Sequence, residues 1–117
     1  MRLIETTNLL NTLSNEDGPL LIDSIGGFVM ESIGKEHKEW STKMHLLLSL
    51  LKKRKTTTFI VGEQVGWSLV SEYKIGNTYI ERIGELQKRI TKISKENWLA
   101  INGRAIKIDE ISVEIPI

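Results

Sequence analysis

Residues 43–61 read KMHLLLSLLKKRKTTTFIV, and this stretch decides between a helical and a sheet fold. Its leucine-rich half, 43–51, fits a helix or a strand equally well, because apolar runs of this length are ambiguous. The half at 56–61 is β-branched and aromatic, which is typical of a strand. A charged link at 52–55 joins the two halves. We therefore predict a β-hairpin with strands near 43–51 and 56–62.

Three further strands are predicted outward from this hairpin. They lie near 20–33, 77–88 and 98–109. Each contains an internal glycine, and glycine inside a strand marks a bulge or a tight bend, as a small coiled barrel needs at its corners. No alternation of strands with helices is evident, so a doubly wound parallel sheet is not expected.

Size and composition predict one domain over residues 1–117, with a short helix near 3–13 and a barrel over about 20–110. Cysteine is absent, which excludes disulfides and thiolate chemistry, and two histidines are too few for a histidine-rich metal site. No apolar run of about 18 residues and no secretory signal is present, so we expect an intracellular chain.

Catalytic motifs are absent from the sequence. It contains no GxSxG, P-loop, HExxH or CxxC pattern. The nearest polar cluster, at 36–39, is expected to be a solvated loop whose consecutive residues point apart. We therefore predict no enzymatic activity, no metal and no cofactor.

Charge is unevenly distributed along the chain despite a net charge of +1. Residues 1–51 hold 4 basic and 7 acidic side chains, residues 52–107 hold 12 and 5, and residues 108–117 hold none and 3. A positive middle between acidic ends indicates either a nucleic-acid face or a solvated surface of mixed charge.

The segment at 76–87, GNTYIERIGELQ, resembles the fourth strand of OB domains in eukaryotic single-stranded-DNA-binding complexes. Their usual pattern is Gly-x-x-Tyr-φ-x-φ-φ-Gly-x-φ, with φ apolar, and Arg82 departs from it. Residues 25–29 and 98–108 resemble the first and fifth strands. The chain is thus similar to the small OB subunits of replication protein A, of the CST telomere-capping complex and of RPA-like telomerase accessory complexes.

This resemblance implies a mainly all-β fold, a five-stranded OB-fold Greek-key barrel behind a short N-terminal helix. It also implies a structural or accessory subunit in DNA replication or telomere maintenance, located in the nucleus. Its expected partners are other OB-fold subunits, with single-stranded DNA bound weakly or only within the complex. A directly nucleic-acid-binding OB domain and an unrelated phage or bacterial β-rich inhibitor remain as alternatives.

Two sets of binding residues follow from the barrel prediction. OB folds bind oligonucleotides through the loops between strands 1 and 2 and strands 4 and 5, where cations can follow phosphates and an aromatic ring can stack on a base. The predicted nucleic-acid contacts are Lys35, Lys38, Trp40, Lys92 and Lys95. Apolar side chains that a closed barrel does not need are predicted to contact partners. They are Leu9, Leu10, Leu13, Ile111, Val113 and Ile115.

Overall fold

The computed structural model describes residues 8–63 and 74–116. In chain order the elements are α1 (Leu9–Asn15), β1 (Leu20–Asp23), α2 (Gly26–Glu31), α3 (His37–Lys53), β2 (Thr58–Val61), α4 (Lys74–Ile93), β3 (Trp98–Ile101), β4 (Arg104–Lys107) and α5 (Ile108–Ile111). Helices hold just over half of the described residues, and the four short strands form two separate two-stranded sheets. The prediction of an all-β OB-fold barrel is therefore wrong.

The first sheet pairs β1 with β2 in parallel, in register from Leu20 opposite Thr58 to Asp23 opposite Val61. Helices α2 and α3 lie between the two strands in the chain and form the crossover that a parallel pair requires. A strand is thus present where 56–62 was predicted, but its partner is β1. The carboxyl ends of both strands meet at one edge of the sheet.

Helix α3 replaces the predicted strand at 43–51. Its buried side chains are Trp40, Met44, Leu47 and Leu48, which recur at the spacing of one helical face. Glu39 lies in its first turn and two lysines in its last, as the helix dipole favours. The prediction was wrong because the apolar stripe begins at Trp40, outside the stretch taken as a strand.

Helix α4 replaces the strand predicted at 77–88. Ile83, Leu86 and Ile90 are buried in it at spacings of three and four residues, which is helical periodicity. Gly84 lies on the opposite, exposed face, where an added Cβ would meet nothing within 4 Å in the part of the chain that the structure describes. The resemblance of this segment to an OB strand depends on single matched positions, and it does not take the helical spacing of the apolar residues into account.

The core lies where α2, α3, α4 and β1 meet. The Phe28 and Trp40 rings pack there with centroids 5.9 Å apart. Arg82 enters from α4, and its guanidinium donates hydrogen bonds to the carbonyl oxygens of Ser32 (2.5 Å) and Lys35 (2.7 Å). It also lies 5.7 Å from the Trp40 ring centroid. These contacts tie α4 to the turn between α2 and α3.

The predicted strands at the two ends of the chain are shorter than expected. In 20–33 only β1 is a strand, because the chain turns into α2 at Gly26. In 98–109 the chain forms the hairpin β3–β4, in which Trp98 lies opposite Lys107. Asn102 and Gly103 take positive φ values of 50° and 74°, as a two-residue hairpin turn requires.

The N-terminal helix is present in part. Helix α1 begins at Leu9, and the Asn8 side chain caps it by accepting a hydrogen bond from the Asn11 N–H at 3.0 Å. Residues 3–7 of the predicted helix lie outside the described residues. Within the part of the chain that the structure describes, no helix is long and apolar enough to cross a membrane.

Candidate functional site

Polar side chains gather where β1 and β2 end. Asp23 ends β1 and is followed by Ser24 through a cis peptide bond, while Glu63 lies two residues after the end of β2. In open α/β sheets, ligands bind outside the carboxyl ends of parallel strands. We call this group, with Tyr79 and Gln87 of α4, the β1–β2 edge. It is the candidate site.

Glu63 is the central group of the β1–β2 edge. The Ser24 hydroxyl donates a hydrogen bond to its Oε1 atom. Its Oε2 atom is buried and has no hydrogen-bond partner among the described residues. Buried carboxylate oxygens are normally paired, so this atom calls for an explanation, and a bound cation is one that the chemistry of a carboxylate allows. Asp23 immediately precedes Ser24 in the chain, and it is exposed.

Gln87 holds the backbone of Glu63 from the side of α4. Its Oε1 accepts a hydrogen bond from the Glu63 N–H at 2.5 Å, and its Nε2 donates one to the Glu63 carbonyl at 2.7 Å. An added Cβ at Gly62 would overlap the Gln87 amide, so the close approach requires glycine. The Glu63 peptide is therefore fixed beyond the end of β2.

Tyr79 faces the same carboxylate. A Cβ built on Gly26 would lie 2.5 Å from Glu63 Oε1 and 2.6 Å from the Tyr79 hydroxyl oxygen, so both groups converge on that glycine. Burial raises the pKa of the Tyr79 phenol, and the negative charge of Glu63 raises it further. The phenol is thus kept protonated and polar beside the carboxylate.

The residues predicted to contact nucleic acid are not brought together as expected. Trp40 was placed in an exposed loop, which is wrong: it lies in α3 and is fully buried, so no base can stack on it. Lys38 lies in the first turn of α3, and Lys35 in the turn before it, 3.6 Å from Glu39. The barrel loops that would have joined them to the other two lysines do not exist within 8–63 and 74–116.

Those other two lysines lie at the far end of α4. Lys92 is in its last turn and forms an ion pair with Glu114 at 3.1 Å. Lys95 follows the helix and is exposed. Lys92 therefore shares only helix α4 with the β1–β2 edge, and Lys95 lies on no element of that edge.

The predicted partner contacts divide into two groups. Leu13 is buried, and Leu9 and Leu10 pack against the same core, so α1 uses its apolar face within this chain. The C-terminal side chains are exposed, and their role as partner contacts stays a prediction. Their exposed fractions are 71% for Ile111, 91% for Val113 and 67% for Ile115.

Sequence reasoning named none of the residues of the β1–β2 edge. A signal for part of the edge was present, since two apolar stretches, LLID and TFIV, are each followed by small or acidic residues. That arrangement is typical of parallel strands that end at a polar site. The contributions of Tyr79 and Gln87 depend on how α4 packs and have no such signal.

A family model described as cobinamide kinase / cobinamide phosphate guanyltransferase matches residues 2–108. No curated protein matches the chain. The family match overturns the resemblance to subunits of RPA-like complexes, the role in replication or telomere maintenance, and the OB-fold and DNA partners. It also overturns the prediction of no enzymatic activity, because the family is described by two enzymatic activities. The nuclear location rested on the same resemblance alone.

Proposed function

We propose that the β1–β2 edge of this chain, which belongs to the cobinamide kinase / cobinamide phosphate guanyltransferase family, handles the phosphates of a nucleoside triphosphate. A kinase moves the terminal phosphoryl group onto a hydroxyl and leaves a nucleoside diphosphate. A guanyltransferase acting on a phosphate joins GMP from GTP to it and releases pyrophosphate. We infer that the substrate accepting either group is a corrinoid.

One observation supports the edge as the phosphate-handling site: beside the ends of two parallel strands, the carboxylate of Glu63 keeps a buried oxygen that has no partner within residues 8–63 and 74–116. Phosphate chemistry of this kind uses Mg²⁺, which prefers oxygen ligands and is held by one or two carboxylates plus substrate phosphates. No cluster of three or more acidic, histidine or cysteine ligands occurs among the described residues. A site completed by nucleotide phosphates does not need one.

The residues present fit Mg²⁺ in this mode. Ser24 donates to Oε1 of Glu63, which leaves Oε2, unpartnered among the described residues, as the oxygen that we assign to the ion. Asp23, exposed at the end of β1, is the second carboxylate of the edge. When bound, Mg²⁺ neutralises charge on the transferring phosphates. The protein's own part is to hold these oxygens in place before the nucleotide arrives.

Substitution of Glu63 by glutamine tests the proposal. We expect Glu63→Gln to weaken Mn²⁺ binding in the presence of GTP by about tenfold or more, because the amide offers a poorer ligand of the same size. Free Mn²⁺ is counted by electron paramagnetic resonance. Glu36→Gln, an exposed residue before α3 whose side chain makes no cap bond, is the matched control. Equal Mn²⁺ affinity in wild type and Glu63→Gln would overturn the proposal.

A titration of Tyr79 checks that the substituted site stays folded. Removing the Glu63 charge lowers the pKa of the Tyr79 phenol but leaves it above its ordinary value, because burial is the larger cause of the shift. Absorbance near the tyrosinate band follows this titration in a Tyr73→Phe background, which leaves Tyr79 as the single tyrosine. An unfolded site would bring the pKa to its ordinary value.

A further inference from the structure

We propose that Gln87 is a positioning residue for the metal–nucleotide complex, acting through the backbone of Glu63. The inference rests on the proposed function of the β1–β2 edge. Gln87 itself does not contact the phosphates. It holds the backbone of Glu63, and the Glu63 side chain contacts the metal–nucleotide complex. Its role is separate from that of Ser24, which holds the carboxylate itself.

The need for such a residue follows from where β2 ends. Pairing with β1 stops at Val61, so the sheet ladder gives the Glu63 peptide no partner. Gln87 supplies both missing bonds, to the N–H at 2.5 Å and from its amide nitrogen to the carbonyl at 2.7 Å. The two bonds join one planar amide to the peptide groups on either side of the Glu63 Cα atom, so they fix the rotation of the backbone at Glu63 as well as its position. The direction of the carboxylate follows from that rotation.

The support behind Gln87 is rigid. Its neighbours on α4, Ile83, Leu86 and Ile90, are buried in the core, and Leu86 and Ile83 have no exposed surface. Gly62 provides the complementary feature on the strand side, because any Cβ there would collide with the Gln87 amide. Because α4 is packed firmly in the core, Gln87 holds the backbone of Glu63 in a fixed position at the β1–β2 edge.

The chemistry of glutamine is specific to this task. A primary amide carries an acceptor oxygen and two donor hydrogens, so it can bond to both the N–H and the carbonyl of one residue. Methionine has similar length but forms neither bond. Glutamate keeps the acceptor, loses the donor and adds a negative charge. We expect Mn²⁺ binding with GTP to fall in Gln87→Met, and Gln87→Glu to be unable to restore it.

The experiment compares Gln87→Met with Gly84→Ala, a control on the exposed face of the same helix. Mn²⁺ affinity is measured with GTP by electron paramagnetic resonance, GTP affinity without metal by calorimetry, and stability by urea unfolding. We expect Gln87→Met to lower Mn²⁺ affinity about tenfold, as loss of an outer-shell partner typically does, with metal-free GTP affinity unchanged. Gly84→Ala should match wild type in both affinities.

The double variant Gln87→Met/Gly84→Ala separates positioning from folding. Alanine in the helix should return stability lost in Gln87→Met without returning Mn²⁺ affinity. Recovery of both together would overturn the inference, since a structural role alone predicts it. Loss of affinity in Glu63→Gln but not in Gln87→Met would overturn this inference and leave the proposed function standing. Loss in neither variant would overturn both.

Discussion

The β1–β2 sheet and the β3–β4 hairpin have similar strand compositions, but only the first has a strand, β1, with buried side chains. Each has two strands of four residues, with apolar side chains in both. In β1, Leu20 and Ile22 are buried under helices, whereas no residue of the hairpin is buried and Trp98 is 55% exposed. Strand composition therefore does not determine burial here. The helices that pack on the first sheet do.

This difference predicts two levels of stability in one chain. The first sheet shares its core with α3 and α4, so it should open only with global unfolding. The hairpin is held by its own ladder, by the turn at Asn102 and Gly103, and by α5. We therefore expect it to open locally while the β1–β2 edge stays intact.

Substitution of Trp40 and of Trp98 gives the largest expected difference. Trp40→Ala should lower the free energy of unfolding by about 3–5 kcal/mol, because a fully buried ring is removed from the core. Trp98→Ala should cost about 1 kcal/mol or less, since it removes an exposed ring and its contact with the Lys107 ammonium, 5.8 Å from the ring centroid. Urea unfolding of both variants measures the difference. Similar losses would show that the hairpin is part of the same cooperative unit.

Two adjacent glycines in α2 test the site within the stable half. Gly26→Ala places a methyl group against the Glu63 carboxylate and the Tyr79 phenol, whereas Gly27→Ala meets nothing within 4 Å among the described residues. Because the crowded atoms are the ends of side chains, the fold should survive. We expect Mn²⁺ affinity with GTP to fall about tenfold in Gly26→Ala only. Gly27→Ala should bind normally and gain about 0.5–1 kcal/mol of stability.

Acid should loosen the hairpin end selectively, and this is the smallest effect. The side-chain and backbone N–H groups of Asn97 donate to Asp109 and hold the pKa of its carboxyl below the ordinary value. The bonds therefore stabilise the fold above the ordinary aspartate pKa and are lost as pH falls through the lowered one. The Asn97 amide shift should follow that titration, and Asp109→Asn should abolish it. An Asn97 shift that titrates at the ordinary aspartate pKa would contradict the assignment.

The sequence contained more of the fold than the barrel interpretation used. Trp40, Met44, Leu47 and Leu48 form a helical stripe that is visible without a structure, and it was missed because the run was cut at residue 43. The hairpin turn was also visible, since Asn-Gly between two apolar runs is a strong hairpin signal. In the barrel interpretation the helical stripe loses its first member, Trp40, and the hairpin becomes a single strand.

The candidate site was predictable only in part. Asp23 and Glu63 follow apolar runs, so a parallel-sheet interpretation would have placed them at one edge. That Gln87 reaches the Glu63 peptide could not be predicted, because the contact joins residues 24 apart and depends on the docking of α4. Local patterns specify elements, and long-range packing selects which side chains meet.

The parallel pairing of β1 and β2 has a consequence for synthesis on the ribosome. β1 emerges with Leu20 and Ile22 unpaired, and its partner is made only after the whole of α2 and α3. At about 5–20 residues per second, these side chains wait for about 2–7 s before β2 exists. The hairpin has a much shorter delay, because β4 begins three residues after β3 ends, which takes about 0.15–0.6 s at the same rate. Once both strands exist, a hairpin forms in about 1–10 μs. The less buried of the two sheets is thus the one whose second strand follows sooner.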